Sequence, residues 1–204
     1  MQIKFAKVLP LAAAVALVAA CGKNEEKPAN QAAAPAATSA PAAAAGGETV
    51  VKIGHAAPLT GGIAHLGKDN ENGARLAVEE ANKEGLTIDG KKIKLELVGE
   101  DDAGDPKTGT AVAQKLVDEH VVAVVGHLNS GVSIPASKIY SDAGIVQISP
   151  SSTNPDYTKQ GFKTTYRVVA TDAQQGPALA NYAAKTLGAK TVAIVDDATA
   201  YGKG

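Results

Sequence analysis

The run Val121-Val122-Ala123-Val124-Val125 is apolar at every position. A strand of that kind must be covered on both faces, which calls for a parallel sheet sandwiched between helices. The chain on either side fits that demand. Strands are expected at 49–56, 93–98, 145–148, 164–169 and 191–195. Between them lie helical patterns. Residues 67–83 carry Ala74, Ala77, Val78 and Ala81 at helical spacing, with Gly85 as a C-cap. Asp105-Pro106 reads as an N-cap followed by proline at the first helical position, opening a helix to about Glu119. Further helices are expected near 134–143 and over 173–187. The order predicts a doubly wound, mostly parallel α/β architecture.

The first 47 residues do not belong to this pattern. Lys4 and Lys7 precede an apolar run over 8–20, shorter than the roughly 20 residues needed to span a bilayer. It ends in Val18-Ala19-Ala20-Cys21, and Cys21 is the only cysteine. Residues 1–20 read as an export signal and Cys21 as the lipidation site; the alternative is an incidental cysteine beside an ordinary cleavage site. Residues 21–47 are Ala-rich, with Pro28, Pro35 and Pro41 and almost no large apolar side chain, and read as a disordered tether. Net charge is −1. Without a basic run or an aromatic platform, nucleic acid is not expected as a partner.

In sheets of this class ligands bind beyond the carboxyl ends of the strands. Four loops fall there: 58–62, 126–130, 149–153 and 196–202. The second and third are rich in hydroxyls, which suit a small anion, while their carbonyls suit an ammonium group. Helix capping is the competing role for the same residues, and on spacing alone the more common one. Glu100-Asp101-Asp102 could hold a cation or act as an acid/base pair, but a solvated strand end is the favoured reading. The four histidines show no metal-ligand spacing, the glycines of 60–67 are a weak phosphate signal, and no nucleophile elbow or P-loop is present. Neither an enzyme, a cofactor nor a metal is expected.

Five motifs then occur in a specific order: Asp101-Asp102-x-x-Asp105-Pro106-Lys107, Val125-Gly126-His127-Leu128-x-Ser130, Ile148-Ser149-Pro150-Ser151-Ser152-Thr153-x-Pro155, Asp172-x-Gln174-Gln175-Gly176-Pro177 and Tyr201-Gly202-x-Gly204. In these the chain resembles the Leu/Ile/Val-binding proteins, receptors of branched-chain amino-acid ABC transporters. The resemblance implies a type I periplasmic-binding fold of two hinged lobes, with 48–170 as the first lobe and 171–204 as the start of the second. It implies that Ser130 and Thr153 bind the carboxylate of an amino acid, that Ser151 offers its carbonyl to the ammonium, and that Ser152 belongs to the same loop of the site. Tyr201 would close over the ligand, and Leu128 and Asn129 would lie near its side chain. Family members often carry an aromatic residue where Leu66 stands, and some carry a disulfide at the positions of Gly104 and Asn129.

The expected ligand is a small amino acid, branched-chain or aliphatic. The expected partner is an ABC transporter permease, with a lipid anchor holding a monomer to the membrane in the periplasm. A sensory module of the same fold, for an amide or another amino acid, is the alternative. The ending at Lys203-Gly204, just after a strand and a turn, suggests a piece of a longer protein; a small complete domain is the competing reading.

Overall fold

The computed structural model describes residues 47–204. The export signal, Cys21 and all of the tether but Gly47 lie outside the described residues. From Thr49 the elements are β1 (Thr49–Ala57), α1 (Ala64–Glu84), β2 (Leu86–Ile88), β3 (Lys91–Asp101), α2 (Pro106–Asp118) and β4 (Ala123–Gly126). There follow α3 (Ser130–Asp142), β5 (Val146–Ser149), α4 (Asp156–Lys159), β6 (Thr165–Arg167), α5 (Asp172–Asn181) and α6 (Ala200–Lys203).

The six strands form one sheet in the order β2-β3-β1-β4-β5-β6, parallel except for β2, which runs antiparallel to β3. The chain leaves β1 towards β3 and then crosses back to β4 on the other side. With right-handed crossovers, this reversal puts α1 on one face and α2 and α3 on the other. Glycines on the strands show the two faces. A side chain at Gly54 would meet Leu116 beneath α2, whereas one at Gly99 would meet Glu71 of α1. The direction of winding changes between β1 and β4, which leaves a crevice at their carboxyl ends.

The core lies under α2 and α3. Val112, Ala113 and Leu116 of α2 and Ala136 and Tyr140 of α3 close over Ala56, Val121, Val124 and Ile145. The two helices approach so closely that a Cβ at Gly109 would overlap the Val132 side chain. α1 is seated less deeply, with only Gly67 and Ala74 buried. Its first turn presses on the preceding loop, where a Cβ at Gly67 would overlap the Pro58 carbonyl.

The structure departs from the sequence reading in several places. Ala77 points to solvent, and Val78 and Ala81 are only half-buried, because α1 touches the sheet along a narrow stripe. α3 begins at Ser130, a full turn before the expected start. Pro135 hid that turn, although a proline early in a helix removes only one hydrogen bond. The expected helix over 173–187 is α-helical to Asn181 and then forms a π turn over Tyr182–Thr186, closed by Leu187 N donating to the Tyr182 carbonyl at 3.1 Å. Residues 191–195 are not a strand. They pair with no strand among the described residues, and Ile194 and Val195 stand 91% and 93% exposed. Apolar alternation gave the pattern of a strand there, but a strand exists only where a neighbour completes its hydrogen bonds. β2, α4 and the single turn of α6 were not anticipated.

Candidate functional site

The site is built on two adjacent carboxylates at the end of β3. Asp101 points one way. Its Oδ1 accepts from the amides of Leu59 and Ala103, both at 2.8 Å, and its Oδ2 accepts from the Thr60 hydroxyl at 2.6 Å. Burial opposes the charge on Asp101, but these hydrogen bonds outweigh it and hold the carboxyl below its ordinary pKa. The loop 58–60 is fixed in this way.

Asp102 points the other way and overturns the reading of a solvated strand end. It is fully buried, because the β4–α3 loop folds over the end of β3. Its Oδ2 lies 2.7 Å from Nδ1 of the equally buried His127, and its Oδ1 accepts from Gly104 N at 2.8 Å. With the carboxylate as acceptor, Nδ1 carries the hydrogen, and Nε2 is free to accept from the Tyr140 hydroxyl, 3.1 Å away. Burial, reinforced by the nearby Asp102, raises the Tyr140 pKa and keeps that phenol a donor. His55, also buried, has no hydrogen-bond partner for either ring nitrogen among the described residues; burial lowers its pKa. Glu100, the third acid of the run, pairs with Lys115 at 2.6 Å.

The backbone of His127 is a second anchor. Its carbonyl accepts from the hydroxyls of Ser149 at 2.7 Å, Ser133 at 3.0 Å and Ser152 at 3.3 Å. Ser149 Oγ in turn accepts from the amides of Ser152 at 2.9 Å and Ser151 at 3.3 Å. The β5–α4 loop is therefore tied to the β4–α3 loop. Arg167 holds its far side by donating to the carbonyls of Ser152 at 2.7 Å and Asn154 at 2.9 Å.

Between these loops and the 196–201 segment lies a cavity of about 370 Å³. Leu66, Leu128, Asn129, Ser130, Ser151, Thr153 and Tyr201 line it. Ser152 does not: its hydroxyl is buried against Ser133 at 2.6 Å. Ile63 and Asp197 line the cavity too and were not singled out in the sequence. Asp197 stood in a candidate loop, and the glycine-rich turn before Ile63 was the only pointer to it.

The hydroxyls on this wall do not cap helices, so the capping role fails for them. Ser130 is the first residue of α3, and its buried Oγ accepts from Asn154 N at 3.2 Å. That leaves its own hydrogen to donate. Ser151 Oγ donates to the Leu128 carbonyl at 3.1 Å. Thr153 Oγ1 is buried and has no partner among the described residues. The N-cap of α3 is Asn129, whose side chain makes no capping bond and whose Oδ1 is also buried without a partner among the described residues. A Cβ at Gly104 would lie 3.5 Å from that oxygen. The first-turn amides of a 13-residue helix thus stand beside two buried hydroxyls.

An anion meets hydroxyl donors here, and an apolar group meets Ile63, Leu66 and Leu128. Among the described residues, Asp197 and Tyr201 are the only titratable side chains on the cavity wall. Hydrogen bonds from the Thr199 hydroxyl and amide, at 2.6 and 2.9 Å, occupy Asp197 Oδ1 and lower its pKa. Among the described residues no group of three His, Cys, Asp or Glu is placed to hold a metal, and no helix is long and apolar enough to cross a membrane.

Residues 50–204 match the periplasmic binding protein family. The chain is 45% identical over 154 residues to the Leu/Ile/Val-binding protein BraC3 of Rhizobium johnstonii, covering 76% of this chain and 41% of that protein. Among solved structures it is similar to the branched-chain amino-acid transporter substrate-binding protein LivJ of Streptococcus pneumoniae in complex with isoleucine. That match has a TM-score of 0.70 and 35% identity, over 76% of this chain and 44% of the other. The leucine-binding protein LivK of Thermotoga maritima matches with a TM-score of 0.68 and 35% identity, over 76% and 43% of the two chains. The chain thus spans about two fifths of the length of the curated relatives it matches.

Proposed function

The chain belongs to the periplasmic binding protein family, and on that premise we propose that it captures a free amino acid with an aliphatic, branched side chain and delivers it to an ABC transporter. The observation that carries this reading is the unpartnered Thr153 Oγ1, buried in the cavity beside Ser130 and the start of α3. A buried hydroxyl without a partner costs about 1–3 kcal/mol, a cost that a ligand carboxylate removes. The Ser151 carbonyl takes the ammonium group. Leu66, Leu128 and Ile63 take an apolar side chain, whose burial is worth about 1.5–3 kcal/mol. Tyr201 closes over the ligand. Relatives that carry Leu/Ile/Val binding in their names, and a neighbour holding isoleucine, support the choice of ligand.

In this reading residues 48–170 form the gripping lobe and 171–204 begin the closing one. Cys21 carries a lipid that holds a monomeric receptor at the membrane, facing the periplasm. The protein binds without chemistry. Titration calorimetry with leucine, isoleucine and valine tests the proposal. Saturable one-to-one binding of at least one is expected, with no turnover of the bound amino acid. Heat from none of the three, while another amino acid, an amide or an aromatic acid binds, would overturn the choice of ligand.

A further inference from the structure

Asp102 and His127 do not reach the cavity, yet they are the most deeply buried ionisable pair beside it. We propose that they are positioning residues: a buried carboxylate–imidazole pair that holds the β4–α3 and β5–α4 loops in binding-ready form before any ligand arrives. Neither side chain belongs to the apolar core, which is built from residues of α2, α3 and the strands. A buried pair of this kind gives little net stability relative to apolar replacements, so its use lies in the geometry it imposes.

Three links carry that geometry. Asp102 is tied to β1 through its amide, which donates to the Ala57 carbonyl at 3.1 Å, and to its own loop through Gly104 N. Its other oxygen sets the ring of His127, which Tyr140 of α3 holds from the far side. With the ring fixed, the His127 carbonyl is presented to Ser133, Ser149 and Ser152, so one backbone oxygen joins α3, β5 and the loop beyond it. Leu128, Asn129 and Ser130 follow directly on His127, and Ser151 and Thr153 flank Ser152. Every hydroxyl proposed for the ligand's head group is thus within three residues of this hub. Asp101, next in the chain, fastens the loop of Leu59 and Thr60 with its own carboxylate. Two adjacent acids thereby bracket the loops from both sides.

Hydrogen exchange followed by mass spectrometry on the full, ligand-free chain tests the role directly. Asp102→Ala is expected to speed exchange about tenfold over 127–133 and 149–154 while 110–118 in α2 keeps its protection. Asp102→Asn should stay near the wild type. Its amide oxygen still accepts from Gly104, and its nitrogen can donate to the other tautomer of His127, which then donates to Tyr140. Leucine affinity should fall about tenfold in the alanine variant and recover in the asparagine variant, as expected when buried donors lose and regain partners.

Unchanged protection in both loops, or equal loosening of α2, would overturn the proposal. If Asp102→Ala is recovered unfolded, His127→Gln is read by the same criteria. The affinity arm rests on the amino-acid reading above, but the exchange arm does not. Loops that loosen selectively in a protein that ignores leucine, isoleucine and valine would sink the ligand and leave the positioning pair standing.

Discussion

Ser130 and Thr153, on one side of the cavity, are 1% and 9% exposed, whereas Tyr201, on the other, is 55% exposed. The first wall stands on a buried network that reaches through His127 and Asp102 to three strands. The second is held mainly by bonds within its own turn: Ala198 N to Asp196 at 2.6 Å, Thr199 to Asp197, and Gly202 N to the Thr199 hydroxyl at 3.3 Å. Its link to the gripping wall is the Asn154 amide, which donates to the Ala200 carbonyl. α5, the π turn and α6 contain no buried residue. A wall that must present unpaired donors has to be rigid, or the donors would turn and pair with one another. A wall that closes over a ligand gains from being loosely held.

This contrast can be broken by mutation. The largest effect should come from beneath the gripping wall. Leu116→Ala removes a fully buried side chain and should lower unfolding stability by about 2–5 kcal/mol in a denaturant titration. Next is Thr153→Val, which keeps the shape and deletes the hydroxyl. Leucine affinity should fall by about 1–3 kcal/mol in calorimetry, while the melting temperature of the ligand-free protein holds or rises, since that buried oxygen has no partner among the described residues. A melt that drops with the affinity would mean that Thr153 is structural.

Tyr201→Ala comes third. A loss of about 1 kcal/mol is expected, mostly as faster dissociation in stopped-flow, with the melt moving little because the side chain is half exposed. The smallest effect concerns Asp101. Its pKa is lowered in the folded protein, so its contribution is present above the ordinary value of 3.8 and is lost as pH falls through the lowered one. The wild type should therefore lose slightly more stability than Asp101→Asn on acidification below about pH 4.

The same contrast marks how far the sequence could be read. The gripping half was legible because its signals are local. The all-apolar run at 121–125 located β4, and Asp105-Pro106 located the start of α2, where Thr108 N donates to Asp105 Oδ1 at 2.7 Å. Of the eight residues assigned to the site through the family resemblance, seven line one cavity, including Leu66, which lies outside the motifs and departs from the family's pattern. What stayed hidden depends on partners distant in the chain. Asp102 looks like its neighbour Asp101 until the fold buries it against a histidine 25 residues away. Ser152 differs from Ser151 and Thr153 only in which way the loop turns it. Residues 191–195 alternate like a strand, but the property that makes one belongs to a neighbour and not to the run itself.

Gly67 has a consequence for what the cavity admits. Leu66 reaches the cavity from the first turn of α1, and the next residue rests against the Pro58 carbonyl with no room for a methyl group. The depth to which Leu66 enters is therefore set by a missing carbon atom one position away. Any larger residue at 67 would force the first turn of α1 and the Pro58 loop apart, and so shift Leu66 without itself lining the pocket. A chain of this kind can change the size of its ligand from outside its binding site.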